Sequence, residues 1–387
     1  MQKIAIVLNG GVDRGAYQAG ALQALFEVLP QDKHYIVVGT SIGALNGAIL
    51  ADGIAANKGK EKTKKLVNLW INEISPQKIF GKTTALMLWF FLQLCASYKK
   101  FSLMLYTDIF LFIALNFSAV VAFLKPGALH PAVLMTTKIF LLGEFVLAIL
   151  LLIVFKRVNQ GYLINNKNIK QILTENVTST ATKKVPLVIT ATSLSGELQN
   201  RVVTYETQFI FPSMQQREKI IDAAVASSAI PIIFPASRIK KRMYVDGGVK
   251  NNTPLNYAID QGADTIILIT HQPREKPSRR LTFGPFEKLS RIGEILLYDS
   301  IANDLRRAQR INQWLKQLKK FKNQSIIKRA LNLHHKRPIT IIEIRPKREL
   351  GGWFEALYDK KRRQEYIQQG YVDAKKKEQE IKSILAN

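Results

Sequence analysis

Ser41 stands inside Gly39-Thr40-Ser41-Ile42-Gly43, and Asp246 opens Asp246-Gly247-Gly248, 205 residues further on. Asn9-Gly10-Gly11-Val12-Asp13-Arg14-Gly15 adds a glycine-rich turn near the start of the chain. A serine hydroxyl offers a nucleophile and a carboxylate offers a base. Converging backbone N–H groups offer a cradle for a developing oxyanion. Together these are the working parts of acyl transfer.

Each piece has a blander reading alone. A serine between glycines caps many helices, and Asp-Gly-Gly as a bare tripeptide marks only a turn. Position strengthens the functional reading. The Ser41 pentapeptide follows an apolar β-branched run and opens a helical pattern, the context of a nucleophile elbow. Its glycines allow a sharp turn and leave room around the hydroxyl. The Asn9 to Gly15 turn lacks both the G-x-G-x-x-G spacing and a Walker lysine, so oxyanion binding is favoured over nucleotide binding. Arg14 has two readings, anchoring a lipid phosphate or fixing the loop against a carboxylate. An Asp with an ordinary pKa of about 3.9 matches a serine hydroxyl poorly, and partial burial would raise it. His271 is the competing base, because Ser41, Asp246 and His271 follow the chain order of an α/β-hydrolase triad.

The elements that must position these residues are legible as alternation. Lys3 to Leu8 and Tyr35 to Val38 are short strands, each followed by glycine and a helical pattern, as in βα units on a parallel sheet. Ala16, Ala19, Leu22, Leu25, Phe26 and Leu29 recur at helical spacing, and Ala44 to Ile54 reads as a tightly packed helix. Further strands are expected at Pro186 to Thr192, Thr265 to Thr270 and Thr340 to Ile344, and a helix at Ile220 to Ser228. Two basic helical stretches are expected at Asp299 to Leu333 and Phe354 to Leu385. In the first, Leu305, Ile311, Leu315 and Leu318 form an apolar stripe that suits either a lipid surface or the protein core.

The chain has 387 residues, enough for a full core, and 47% hydrophobic content argues against disorder. A single cysteine, Cys95, excludes an internal disulfide and reads as a small buried hydrophobe. Met1 to Leu8 is too short an apolar run for a signal peptide, so cytoplasmic biogenesis is expected. With 56 Lys+Arg against 29 Asp+Glu the net charge is +27, which favours an anionic partner. No zinc-finger spacing, RNP-type strand or helix-turn-helix is present, so an acidic membrane surface is preferred to nucleic acid. The histidines and carboxylates show neither zinc nor calcium spacing, so no metal or other cofactor is expected.

Three apolar stretches lie between the two motifs: Ala85 to Ala96, Leu103 to Leu124 and Ala132 to Phe155. The second and third reach the roughly 20 residues of a membrane span. Lys125 to Pro131 reads as the turn between them. Lys99, Lys100, Lys156 and Arg157 flank the pair, which by the positive-inside rule puts both ends on the cytoplasmic side. The expectation is a membrane hairpin within residues 103–155. The alternative is a buried cap whose apolar faces line an acyl-chain tunnel. Either reading implies a greasy substrate.

Taken together, these motifs resemble the patatin-like phospholipases. Ala191-Thr192-Ser193-Leu194-Ser195-Gly196-Glu197, Ala226 to Pro235, Asn252-Thr253-Pro254-Leu255 and Gly262-Ala263-Asp264 extend the likeness. The resemblance implies a three-layer α/β/α fold and a Ser–Asp dyad without histidine. By that likeness Ser41 is the nucleophile, Asp246 the base, and Gly10, Gly11, Val12 and Arg14 the oxyanion turn. Gly15, Gly39, Gly43, Gly247 and Gly248 are the motif glycines. It implies membrane phospholipid or lysophospholipid as substrate. Lipid acyltransferase and neutral-lipid esterase are the alternatives, and an impaired membrane scaffold is the reading of another class.

Two departures stand out. Val12 occupies a position where the family usually has glycine. Valine resists φ > 0, so an extended conformation is expected there, or Asn9 serves instead. The apolar insert is also foreign to the family core. The expected organisation is a catalytic domain in two parts, 1–81 and 158–272, an apolar insert over 82–157 and a basic helical region over 273–387.

Overall fold

The computed structural model describes residues 2–80, 164–178, 183–199, 202–231, 233–273, 305–318, 323–330, 338–351 and 355–386, with a few single positions besides. The strands are β1 (Lys3–Leu8), β2 (His34–Thr40), β3 (Leu187–Gln199), β4 (Val202–Phe211), β5 (Ser237–Ile239), β6 (Arg242–Asp246), β7 (Thr265–Ile269) and β8 (Thr340–Ile344). They form one sheet in the order β5-β6-β3-β2-β1-β7-β8, with β4 also on β3. The central pairs β3/β2, β2/β1, β1/β7 and β7/β8 are parallel. β4, β5 and β6 join antiparallel. The mostly parallel sheet expected from the βα alternation is the one observed.

Alternation along β1 builds the layers, because successive side chains leave opposite faces of a strand. Ile4, Ile6 and Leu8 pack with α1 (Gly15–Leu25), α2 (Ile42–Ala55), α3 (Gly59–Asn68), α4 (Lys167–Asn176) and α5 (Arg217–Ser227). Ala5 and Val7 face the other way, against Leu255, Tyr257 and Ala258 of α6 (Leu255–Asp260) and Ala308 of the helix over residues 305–318, α7. The apolar stripe of α7 is thereby resolved. Ala308 joins the core under the sheet, and Leu315 and Leu318 are buried with Ile311 and Ile327. The stripe faces protein.

The C-terminal residues belong to the same body. β8 extends the sheet beside β7, and α8 (Lys360–Lys375) lies along α1. Their backbones touch: a Cβ on Gly20 would come 1.8 Å from the Ile367 carbonyl oxygen, and one on Gly370 2.0 Å from that of Tyr17. Tyr17 also donates its hydroxyl to Asp373 Oδ2 at 3.1 Å.

β3 decides where the chemistry sits. β4 holds one edge of it, from Leu187 to Gln199. The other edge is shared. β2 pairs there as far as Thr40↔Thr190, and from the next residue β6 takes over, with Ala191↔Asp246. β2 runs parallel to β3 and β6 antiparallel, so their C-terminal ends meet head to head on one β3 edge. The residue after Thr40 is Ser41, and the last residue of β6 is Asp246.

Among the described residues no helix is long and apolar enough to cross a membrane. The three apolar stretches from Ala85 to Phe155, and with them the expected hairpin or cap, lie outside the described residues.

Candidate active site

Ser41 sits between β2 and α2 with φ 54° and ψ −124°, a region that side chains other than glycine occupy under strain. The surroundings over-determine it. Its N–H donates to Ser227 Oγ at 2.8 Å. A Cβ on Gly43 would come 2.3 Å from the Leu8 carbonyl oxygen, so the elbow packs directly on the end of β1. The result is a hydroxyl at the carboxyl ends of the strands, where open α/β sheets place their sites.

Ser41 Oγ donates to Asp246 Oδ2 at 2.6 Å. Asp246 Oδ1 accepts from Gly248 N at 2.7 Å. The Asp246 backbone is pinned on both sides, its N–H to Ala229 O at 2.9 Å and its carbonyl oxygen accepting from Thr192 Oγ1 at 2.9 Å. Gly247 has to be glycine because a Cβ there would lie 2.4 Å from Thr190 O. Burial pushes the Asp246 carboxyl up to about 6, with the Ser41 and Gly248 hydrogen bonds pulling the other way. A carboxylate raised toward neutrality is a better proton acceptor than an ordinary Asp.

The glycine-rich turn approaches from β1. The Gly10 N–H is engaged by Asn252 O at 3.2 Å, and Asn252 Nδ2 donates back to Gly10 O at 3.3 Å. Gly11 and Val12 head the short 3₁₀ turn Val12–Arg14, whose first N–H groups have no partner within the turn. Val12 adopts φ 54°, which corrects the expectation of an extended valine. The conformation is held from the following residues. Asp13 Oδ2 accepts from Ala356 N at 2.7 Å and Leu357 N at 3.2 Å, and Arg14 Nη2 donates to Gly351 O at 2.8 Å. Arg14 is thus buried and ties the loop to a backbone carbonyl oxygen, where the sequence reading had a carboxylate as its partner. The Asp13 carboxyl is raised to about 6 by burial, although Arg14 and the two N–H groups lower it.

His271 packs beneath this turn, 2.4 Å from where a Gly11 Cβ would stand. It caps a buried chain of amides. Trp70 Nε1 donates to Asn46 Oδ1 (3.1 Å), Asn46 Nδ2 to Gln18 Oε1 (3.0 Å), Gln18 Nε2 to Asn9 Oδ1 (3.2 Å), and Asn9 Nδ2 meets His271 Nδ1 (3.1 Å). An indole N–H only donates, so the direction of the whole chain is set at Trp70 and His271 Nδ1 must accept. The imidazole is therefore neutral with its proton on Nε2. Burial and Arg14 hold its pKa well below the usual value, in the same sense. Ser41 bonds Asp246 directly and His271 turns its Nδ1 to Asn9.

Sequence reasoning had no role for Asn252, Ser227, Trp70, Asn46 or Gln18. Asn252 and Ser227 lie inside segments that carry the family likeness, and that was their only signal. The amide chain joins residues up to 262 positions apart.

The sequence matches the family model described as Patatin-like phospholipase over residues 6–259. The chain belongs to the patatin-like phospholipase family. It is a patatin-like lipid hydrolase, and the matched span takes in every motif from the glycine-rich turn to Asp246 and Asn252. None of the curated proteins is similar enough in sequence to count as a relative. Among solved structures it is similar to VipD from Legionella pneumophila, with 13% identity and a TM-score of 0.41, over 98% of this chain and 67% of that one. It is also similar to the type III effector protein ExoU, with 13% identity and a TM-score of 0.34, over 98% of this chain and 53% of that one. Gly351, Ala356 and Leu357, between β8 and α8 and outside the matched span, still hold the patatin turn through Arg14 and Asp13, and α8 meets Tyr17 of α1.

Proposed function

We propose that this patatin-like hydrolase cleaves fatty-acyl esters of membrane phospholipids or lysophospholipids through a Ser41–Asp246 dyad. The observation that carries the reading is the 2.6 Å hydrogen bond from a strained Ser41 to a buried carboxylate. Asp246 Oδ2 takes the Ser41 proton as Oγ attacks the ester carbonyl carbon. The tetrahedral oxyanion is held by the N–H groups of Gly11 and Val12. Gly10, expected as a donor from the family likeness, supports the turn through Asn252 instead. Collapse expels the lysolipid or glycerol alcohol, which receives the proton from Asp246 and leaves an acyl-Ser41. Water then gives a proton to Asp246 and attacks the acyl carbon, releasing fatty acid and restoring Ser41 Oγ–H. A net charge of +27 favours an acidic membrane surface as the place where this happens.

The test is fatty-acid release from mixed phospholipid and lysophospholipid vesicles. Ser41→Ala and Asp246→Asn are each expected to lower kcat by at least about a thousandfold, as loss of a nucleophile or its base does. Undiminished release by either variant would remove the dyad.

A further inference from the structure

The β3–β4 hairpin continues beyond the level of the dyad. From Ala191, which pairs with Asp246, to Leu198 it passes only four residues of β4, Thr207 to Val203, because β3 bulges between Thr192 and Glu197. It so advances roughly 13 Å at strand rise, past the carboxyl end of β2 and alongside β6 toward its amino end. Its far part is apolar and exposed: Leu198 is 74% exposed, Val203 56% and Tyr205 48%. Leu198 and Val203 are register partners on one face, and Tyr205, two residues on, shares it. A Cβ on Gly196 would meet Val203 at 2.8 Å and the Tyr205 ring at 3.2 Å, so the three form one patch over bare backbone.

A basic turn stands beside this patch. β5 and β6 are joined by Lys240 and Lys241, both exposed, with Ile239↔Arg242 closing the hairpin. Arg242 Nη1 bonds Glu197 Oε1 at 2.6 Å, which fixes the lysine turn next to Leu198. Large apolar side chains in water at one end of a sheet, rimmed by cations, have the character of an interfacial anchor. The apolar groups enter the acyl boundary while lysines stay among anionic headgroups.

We propose that Leu198, Val203 and Tyr205 on the outer part of β3 and β4, with the Lys240–Lys241 turn, dock the protein onto an anionic lipid bilayer, with the proposed dyad at the membrane-facing end of the sheet. The inference deepens the lipid-hydrolase reading and rests on it for the choice of lipid over protein.

The experiment uses the full chain carrying Ser41→Ala and Cys95→Ser, with Leu198→Cys labelled by an environment-sensitive fluorophore. Lys60→Cys is the control, because Lys60 lies past the far end of α2 from Ser41. The vesicles are phosphatidylcholine with about 30% phosphatidylserine, whose negative surface potential attracts basic segments. On adding vesicles the label at 198 is expected to shift to the blue and escape an aqueous quencher, while the label at 60 stays wet. In cosedimentation, Leu198→Asp with Val203→Asp, and Lys240→Glu with Lys241→Glu, should each weaken binding roughly tenfold or more. The proposal is overturned if the chain binds while the label at 198 stays wet, if neither pair changes binding, or if the unlabelled chain does not bind. Because Ser41 is already replaced, a failed dyad would appear only in the hydrolysis assay and would leave this readout untouched.

Discussion

In the proposed dyad Asp246 must be ionised to accept a proton from Ser41, and its burial raises the cost of ionisation. With its carboxyl near 6, kcat/KM for fatty-acid release should rise with pH and reach half its plateau near pH 6. A profile with its midpoint near 4 would show an ordinary, solvated Asp instead. The same shift has an opposite effect on stability. The folded pKa lies above the unfolded value, so this stabilisation is complete below about pH 4 and is lost as pH rises through about 6. His271 contributes through position. Its Nδ1 must accept from Asn9, so His271→Asn, which can offer an oxygen there, should keep most of kcat. His271→Leu removes the acceptor and should lower kcat by on the order of tenfold to a hundredfold through a displaced oxyanion turn. In ¹⁵N spectra the ring should show a proton on Nε2 and none on Nδ1 across neutral pH. Equal loss in both variants, or a protonated Nδ1, would refute the directed amide chain.

At the scale of elements, two arrangements matter. One is the shared edge of β3, which brings β2 and β6 end to end and so puts Ser41 and Asp246, 205 residues apart, within a hydrogen bond. The other is the α1–α8 contact, where Gly20 and Gly370 let the two backbones meet. Adding one methyl group at Gly370, 2.0 Å from Tyr17 O, forces the helices apart. Gly370→Ala should cost about 1–3 kcal/mol as an overpacking change. The measurement is thermal unfolding, read together with activity, because α8 follows the segment whose N–H groups hold Asp13. A variant as stable as the wild type would show that the helices do not press on one another as described. Among the described elements β4, β5, α3, α4 and α6 were not anticipated, although Val202 to Phe211 alternates as a strand should.

At the scale of the whole molecule, charge and reach combine. The excess is late in the sequence, with 28 Lys/Arg against 13 Asp/Glu over residues 271–387. Attraction to an acidic surface is screened over about 10 Å at 0.1 M salt. Hydrolysis of anionic vesicles should therefore fall severalfold between about 0.05 and 0.5 M salt. Turnover of a soluble, uncharged short-chain ester should change little. Parallel loss on both substrates would place the salt effect on the fold rather than on the surface encounter.

Some of this protein is decided by local pattern. Glycines around Ser41, a β-branched run before it and a small apolar helix after it are contiguous in the chain. Their steric demands act over a few residues, so the elbow, β1, β2, β7 and β8, with Ser41 and Asp246 as candidates, could be read without coordinates. Chain order left both Asp246 and His271 open as the partner of Ser41. That Ser41 bonds Asp246 while His271 faces Asn9 depends on a strand edge shared by β2 and β6 and on an amide chain ending at Trp70, both of them long-range contacts. Val12 is the sharpest case. Local sterics argue against φ > 0 for valine, and the turn adopts it because Asp13 and Arg14 are tied to Ala356, Leu357 and Gly351 more than three hundred residues away. Tertiary hydrogen bonds, each worth about 1 kcal/mol or more when buried, outweigh a backbone preference of similar size, and no window of sequence contains both sides of that balance.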